Sequence, residues 1–440
     1  MTRLAVVGAG LAGSEAAWQL ARLGVEVDLI EARPAVMTPA HHTADLAELV
    51  CSNSLGSAAP GVGHGLLAAE MALGGSLIIA AARAAAVPAG RALAVDRGRF
   101  AAAVTERLSR CPAVRVVRDE ALRLPAAPAI VAAGPLAGAA LAADLARVTG
   151  AAHLYFYDAT SPIVDGDSID RACAYVADRR GAGPGDYLNC PLTADEYHIF
   201  LDALLAADPA PAREFEDVRV FEGCMPIESL ARRGEHTLRF GPMRPVGLDD
   251  PRTGRRPYAV VQLRREDAAG RLWNPVGFQT RLRQGDQQRV LRLIPALRRA
   301  IFLRYGVMHR NTYVDGPRVL QPDLTLRGAP GVRLAGQLAG VEGYMESAAC
   351  GMLAAWFAAA EAAGRALPPP PLATMTGALL HHVAVAAPAP LQPMNANFGL
   401  LPPLAERLRK PERRAAMHER ALAAMRDYLD ASGLLAPLDA

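Results

Sequence analysis

The short apolar run RLAVV (3–7) gives way at once to GAGLAG, then to the helix-like run SEAAWQLARLG over 14–24, then to VEVDLIE, which alternates and ends in an acid. The order strand, turn, helix, strand follows from the change of period. Residues 66–86 read as one alanine-rich helix, ALAV (92–95) and VRVV (114–117) as strands around a helix at 97–109, and AIVAAG (129–134) as a buried strand closed by Gly134. After about residue 150 prolines, tyrosines and short mixed runs replace this regular alternation as far as about residue 304. The nucleotide-binding pattern of strand and glycine turn returns at GVRLAGQLAG (331–340), and a long helix is expected over 346–363. AAGRALPPPP (362–371) is a stiff connector, and the charged tail at 404–430 reads as a helix docked on the outside.

Gly8, Gly10 and Gly13 form G-x-G-x-x-G between the first strand and helix, with Ala9, Leu11 and Ala12 as the intervening residues. The first glycine permits the tight turn, the second lets the main chain approach a pyrophosphate, and the third lets helix and strand pack closely. Glu31 ends the second strand 21 residues after Gly10, where a carboxylate grips a ribose hydroxyl. A second glycine motif, LAGQLAGVEGYMESAACG (334–351), runs a strand into Gly336, then Gly340 and Gly343, then a helix through Tyr344 and Ser347. A late helix N-terminus suits the flavin end of FAD, because its dipole favours the negative charge of a reduced flavin. Tyr344 is placed to stack on such a ring or to cap the core.

The 51% apolar content allows a sizeable core, and 440 residues are enough for two or three domains. Glu70 and Arg83 interrupt the apolar stretch at 66–90, so no membrane span is expected. LAVVGAGLAG lacks the basic run and cleavage site of a signal peptide, and Glu15 follows soon after. Six cysteines (51, 111, 173, 190, 224 and 350) lie at unpaired spacings, which argues against a disulfide framework and a zinc site and points to a reducing cytoplasm. Net charge is only +3, but residues 231–310 hold 18 arginines against six acids, a cationic stretch fit for a polyanion such as RNA or for an arginine-laced solvated face.

In order along the chain stand MTPAHHTADLAELVCSNSLG, YLNCP, GPMRPVGL, YGVMHRNTY, GVEGYMESAACG and QPMNANFGLLPP. Together they resemble the folate- and FAD-dependent tRNA (uracil-5-)-methyltransferase family over essentially the full length. The resemblance implies an α/β fold: a Rossmann-like, glutathione-reductase-like FAD-binding domain in two segments, 1–150 and 305–440, with an inserted α+β domain at 151–304 and a C-terminal helical tail. It implies an enzyme that takes the methylene of 5,10-methylenetetrahydrofolate to C5 of the T-loop uridine of tRNA. Reduced FAD, recharged by NAD(P)H, supplies the electrons, and 5-methyluridine is the product. The expected partners are the tRNA T-arm, folate and NAD(P)H, with no membrane and no metal; the sequence leaves the oligomeric state open. Where lysines are expected in the GFQT stretch the chain has Arg281 and Arg283.

C5 of uracil is a poor nucleophile until a thiolate adds to C6, and a base must later remove the C5 proton. The family's two functional cysteines match Cys51 in VCSNS and Cys224 in FEGCMP. Cys224, in the basic insert, is favoured as the C6 nucleophile and Cys51 as the acid/base partner, with the reverse assignment open. His309 and Arg310 in YGVMHRNTY are folate candidates, since an imidazole stacks on a pterin and a cation meets a glutamyl carboxylate. Three rival readings share some of these features: the same chemistry on a ribosomal RNA uridine, a flavin oxidoreductase acting on a small molecule, and a non-catalytic flavin-bearing RNA-binding protein.

Overall fold

The computed structural model describes residues 3–150, 154–179, 185–209, 225–386, 391–406 and 408–434, with main chain only at 154–158 and 308–311. The four-residue runs at the start of the chain pair as parallel strands, Leu4–Val7 with Val27–Ile30 in the register Leu4↔Val27 to Val7↔Ile30. The sheet order is Thr325–Leu326, Ala329–Leu334, Ala129–Val131, Leu4–Val7, Val27–Ile30, Val114–Val117, parallel except at the Thr325–Leu326 edge. The chain therefore leaves this sheet after Val131 and completes it only at 325–334.

Helix Leu11–Arg22 is buried on nearly every side, because the sheet lies on one face and helix Tyr344–Ala362 on another. Two glycines make that close packing possible. A Cβ on Gly13 would lie 1.7 Å from the Gly8 carbonyl oxygen, and one on Gly351 would lie 2.1 Å from that of Ala12. The segment read as a single helix over 66–86 is two helices, Gly63–Leu73 and Leu77–Ala84, bent by 112°. The break falls at Gly74–Gly75, whose carbonyls accept hydrogen bonds from Trp18, Gln19 and Arg22 side chains. No single helix among the described residues is long and apolar enough to cross a membrane; this bent pair passes by length and composition, yet it is largely core.

Between the two passages through the parallel sheet, the chain builds a six-stranded antiparallel sheet: Phe302–Arg304, Ile163–Asp165, Leu272–Pro275, Ala259–Arg265, Leu188–Leu192, Tyr175–Val176. It carries its own apolar cluster, including Tyr197, Phe200, Trp273 and Phe278. A two-stranded antiparallel ribbon, Leu154–Ala159 against Met308–Tyr313, holds both connecting passages side by side. The tail forms helix Lys410–Ser432, with Pro411 in its first turn and Gly433 in the left-handed conformation (φ 66°) just past its end. Met417, Ala421, Met425, Tyr428 and Leu429 give it one buried stripe, packed against helix Gly63–Leu73.

Candidate functional site

The turn between the first strand and helix opens one wall of a cleft. Gly8 has φ +91°, a conformation that favours glycine, and its missing Cβ would lie 2.5 Å from the Ala132 carbonyl oxygen. Gly10 differs: its φ of −69° suits any residue, and a Cβ there would meet nothing within 4 Å. Among the described residues no neighbour explains a glycine at this position, whereas a ligand lying against the turn would. The main-chain N–H of Ala9 is spent on Glu31 Oε2 at 2.8 Å, so that carboxylate braces the turn from beneath. Its other oxygen accepts from Arg33 Nε at 2.7 Å, and Arg33 Nη1 reaches Glu48 at 3.0 Å. Burial pushes the Glu31 carboxyl up, but the Arg33 hydrogen bond and charge outweigh it and leave the group below the usual glutamate range.

The cleft takes in Gly8, Gly10, Leu11, Ala12, Glu31, Gly134, Gly336, Tyr344 and Ser347 of the residues the sequence singles out. Ala9, Gly13, Gly340 and Gly343 stand behind it. A Cβ on Gly340 (φ +100°) would strike Leu391, and one on Gly343 (φ +108°) would strike Glu346. Helices Leu11–Arg22 and Tyr344–Ala362 both begin at the cleft, each after a glycine that brings no capping side chain. Two such N-termini, with the open space at Gly10, fit a group with a pyrophosphate and a second electron-rich end.

Tyr344 joins this cleft to the thiol. Its Oη lies 2.9 Å from Cys51 Sγ and accepts the main-chain N–H of Cys51 at 2.9 Å and of Ser52 at 3.3 Å. The loop VCSNS is held in place by buried Leu49 and Leu55 on either side. Asn53, fully buried, donates from Nδ2 to the Val95 carbonyl at 3.0 Å and to the Arg265 carbonyl at 2.8 Å, which ties the loop to the antiparallel sheet. Burial first, and then the neighbouring Cys51, keep the Tyr344 phenol well above its ordinary value.

Three guanidiniums that sequence reasoning did not single out surround the loop. Arg97 donates to the Leu49 carbonyl at 2.8 Å and pairs with Glu266 at 2.6 Å. Arg264, 7% exposed, donates from Nη2 to Ser52 Oγ at 2.9 Å. Arg304 ends its strand within electrostatic reach of Cys51, Tyr344, Arg97 and Glu266. The sequence signal was there: AVVQLRR is a strand buried almost throughout, and a charge at 264 inside it needs a reason.

Cys190 and Cys350 are buried thiols whose burial pushes each up to about 12, the behaviour of inert packing groups. Cys224 lies outside the described residues. His309 and Arg310 fall on the ribbon, opposite Asp158 and Tyr157 in register, and their side chains are also outside the described residues.

Residues 3–366 match the family model described as glucose inhibited division protein A. A relative from Moorella thermoacetica is 54% identical over 422 residues, covering 96% of this chain and 97% of its own. One from Anaeromyxobacter dehalogenans is 54% identical over 437 residues (98% and 97%), and one from Thermosynechococcus vestitus is 52% identical over 443 (100% and 97%). All three bear the name methylenetetrahydrofolate–tRNA-(uracil-5-)-methyltransferase TrmFO. Two crystal forms of Aquifex aeolicus GidA share the fold, with TM-scores of 0.70 and 0.71 at 16% and 17% identity, over 98% of this chain and 74% and 76% of theirs. With half its residues or more shared along nearly the whole length, the chain belongs to the TrmFO family of methylenetetrahydrofolate–tRNA-(uracil-5-)-methyltransferases.

Proposed function

We propose that the chain transfers the methylene carbon of 5,10-methylenetetrahydrofolate to C5 of the T-loop uridine of tRNA, where it ends as the methyl group of 5-methyluridine. One observation carries the reading: Tyr344 lines the dinucleotide cleft and touches Cys51 Sγ at 2.9 Å, so a thiol stands at the cleft's edge. The relatives' shared name supplies the substrate class. FAD bound in the cleft supplies, once reduced by NAD(P)H, the hydride that turns methylene into methyl.

The chain's own residues do the rest. The glycine turn and the two helix N-termini hold the pyrophosphate and the electron-rich ring end. Cys224 adds to C6 as a thiolate, which makes C5 nucleophilic toward the methylene. Cys51 then takes the C5 proton: the C–H bond breaks, an S–H bond forms and the carrier leaves as tetrahydrofolate; once the methylene is reduced, the Cys224 thiolate is expelled from C6. His309 and Arg310 meet the pterin and the glutamyl carboxylate of the folate. Arg232, Arg233, Arg244 and Arg255, all exposed on the insert, offer cations to RNA phosphates.

The test is direct. Purified flavin-bearing protein, unmodified tRNA transcript, methylenetetrahydrofolate and NADPH should yield 5-methyluridine at the T-loop position on nucleoside analysis. Omitting the folate should abolish it. Product formed from S-adenosylmethionine alone would overturn the reading. Cys224→Ala should remove turnover and leave the flavin spectrum unchanged.

A further inference from the structure

The cluster around Cys51 is electrically unbalanced. Arg97, Arg264 and Arg304 bring three positive charges to it, and Glu266 brings one negative charge. Arg97 Nη2, Arg264 Nε and Arg304 Nε and Nη2 are buried without a hydrogen-bond acceptor, and Arg264 as a residue is more than nine-tenths buried. A network built only to stabilise the fold would pair these donors, because a buried guanidinium without a counter-charge is costly. Glu266 Oε1 is likewise unpaired, but one carboxylate does not balance three guanidiniums, so the cluster suits a further anion.

Tyr344 indicates where that anion sits. Its Oη accepts two main-chain N–H groups, from Cys51 and Ser52, and these occupy its lone pairs. Its one proton is then left for Cys51 Sγ, 2.9 Å away. A donor aimed at sulfur favours thiolate over thiol, as do cations beside it. Four described groups bear on the thiol through charge or a hydrogen bond and favour the thiolate. They are Arg97 on helix Arg97–Ser109, Arg264 on strand Ala259–Arg265, Arg304 on strand Phe302–Arg304 and Tyr344 on helix Tyr344–Ala362. Glu266 opposes them and pairs with Arg97, so the excess positive charge rests on Arg264 and Arg304.

We propose that Arg97, Arg264, Arg304 and Tyr344 are positioning residues that hold Cys51 as a thiolate at neutral pH. They come from four elements distant in sequence; the arginines act on the reaction only through that sulfur, and Tyr344 also lines the dinucleotide cleft. The inference rests on the proposed function insofar as it treats Cys51 as a working thiol. A thiolate is the form that accepts the C5 proton, and it is equally the form that adds to C6 if the two cysteines exchange roles.

The test follows alkylation of Cys51 by iodoacetamide in the flavin-loaded protein across pH, read on the Cys51 peptide by mass spectrometry. Neither tRNA nor folate is present, so the result stands apart from the methylation assay. In the parent, the rate should reach half its maximum well below the ~8.5 of an ordinary thiol. Arg304 makes no hydrogen bond to the loop, so Arg304→Gln removes charge without cutting a tether. It should move the midpoint up by about one unit, a roughly tenfold slower reaction at neutral pH. Arg304→Lys, which keeps the charge, should stay near the parent. If Arg304→Gln does not fold, Tyr344→Phe provides the second reading and should shift the midpoint the same way. A parent midpoint at or above the ordinary thiol value, or a profile unmoved by both Arg304→Gln and Tyr344→Phe, would overturn the proposal.

Discussion

Gly10→Ala and Gly13→Ala differ by three positions and should fail in opposite ways. At Gly13 the added methyl carbon would sit 1.7 Å from the Gly8 carbonyl oxygen, a main-chain atom that cannot swing aside. Helix Leu11–Arg22 would have to lift off its strand, at a cost of about 3 kcal/mol or more, the upper end of overpacking. At Gly10 the same carbon meets nothing in the protein within 4 Å, and its φ of −69° is ordinary. The fold should lose no more than about 1 kcal/mol, the difference between glycine and alanine at a helix N-cap. The cofactor should be affected far more. A pyrophosphate pushed off the turn gives up at least one charge-assisted hydrogen bond, about 1.5–3 kcal/mol, or roughly a ten- to hundredfold loss of FAD affinity. The flavin-to-protein absorbance ratio, FAD reconstitution followed by fluorescence quenching, and urea unfolding separate the two outcomes. A Gly10→Ala protein that binds FAD as tightly as the parent would refute the placement of the pyrophosphate.

Further outcomes follow from other sites. Tyr344→Phe strips two main-chain N–H groups of their acceptor and the sulfur of its donor; methylation should fall at least about tenfold while flavin stays bound, as read by single-turnover kinetics and the flavin spectrum. Glu70 is wholly buried, and burial raises its carboxyl to about 7 despite hydrogen bonds from Met375 and Thr376. Because the folded state holds that proton more tightly than the unfolded state, Glu70's contribution to stability should decline as pH rises from about 4.5 to about 7, by about 3 kcal/mol in all. Chemical denaturation of Glu70→Gln should show that part of the decline removed, and an identical pH slope would count against it. Cys350→Ala and Cys190→Ala should cost stability, about 1–2 kcal/mol each as small buried groups, with kcat per folded molecule unchanged.

The nucleotide half was legible because its signals are local. A glycine fingerprint sits between a strand and a helix, and helix Arg97–Ser109 starts where Asp96 accepts from Arg99, as the pattern predicts. The Gly74–Gly75 break was missed because alanine-rich sequence on both sides is apolar all round, so its period does not reset at the bend; the side chains that fix the bend come from residues 18–22. The glycines at 340 and 343 read as ligand contacts in sequence, whereas their neighbours are Leu391 and Glu346, partners that no local pattern names. The arginine cluster was hidden in another way. Its members at 97, 264 and 304 meet only in three dimensions, and the arginine-rich stretch that contains two of them reads first as a surface for RNA. Composition locates the positive charge but does not separate residues facing solvent from those turned inward.

The paired ribbon between the two sheets sets how they can move. Strands Leu154–Ala159 and Met308–Tyr313 are bonded to each other in six consecutive register pairs, so the halves share one ladder instead of two independent tethers. The Cys51 loop makes a second junction, clasped by Asn53 to the Arg265 carbonyl and by Arg264 to Ser52. Any separation of the two sheets at this point would break that clasp. Arg264 and Glu266 belong to the antiparallel half, so the charge around Cys51 depends on the two halves being docked.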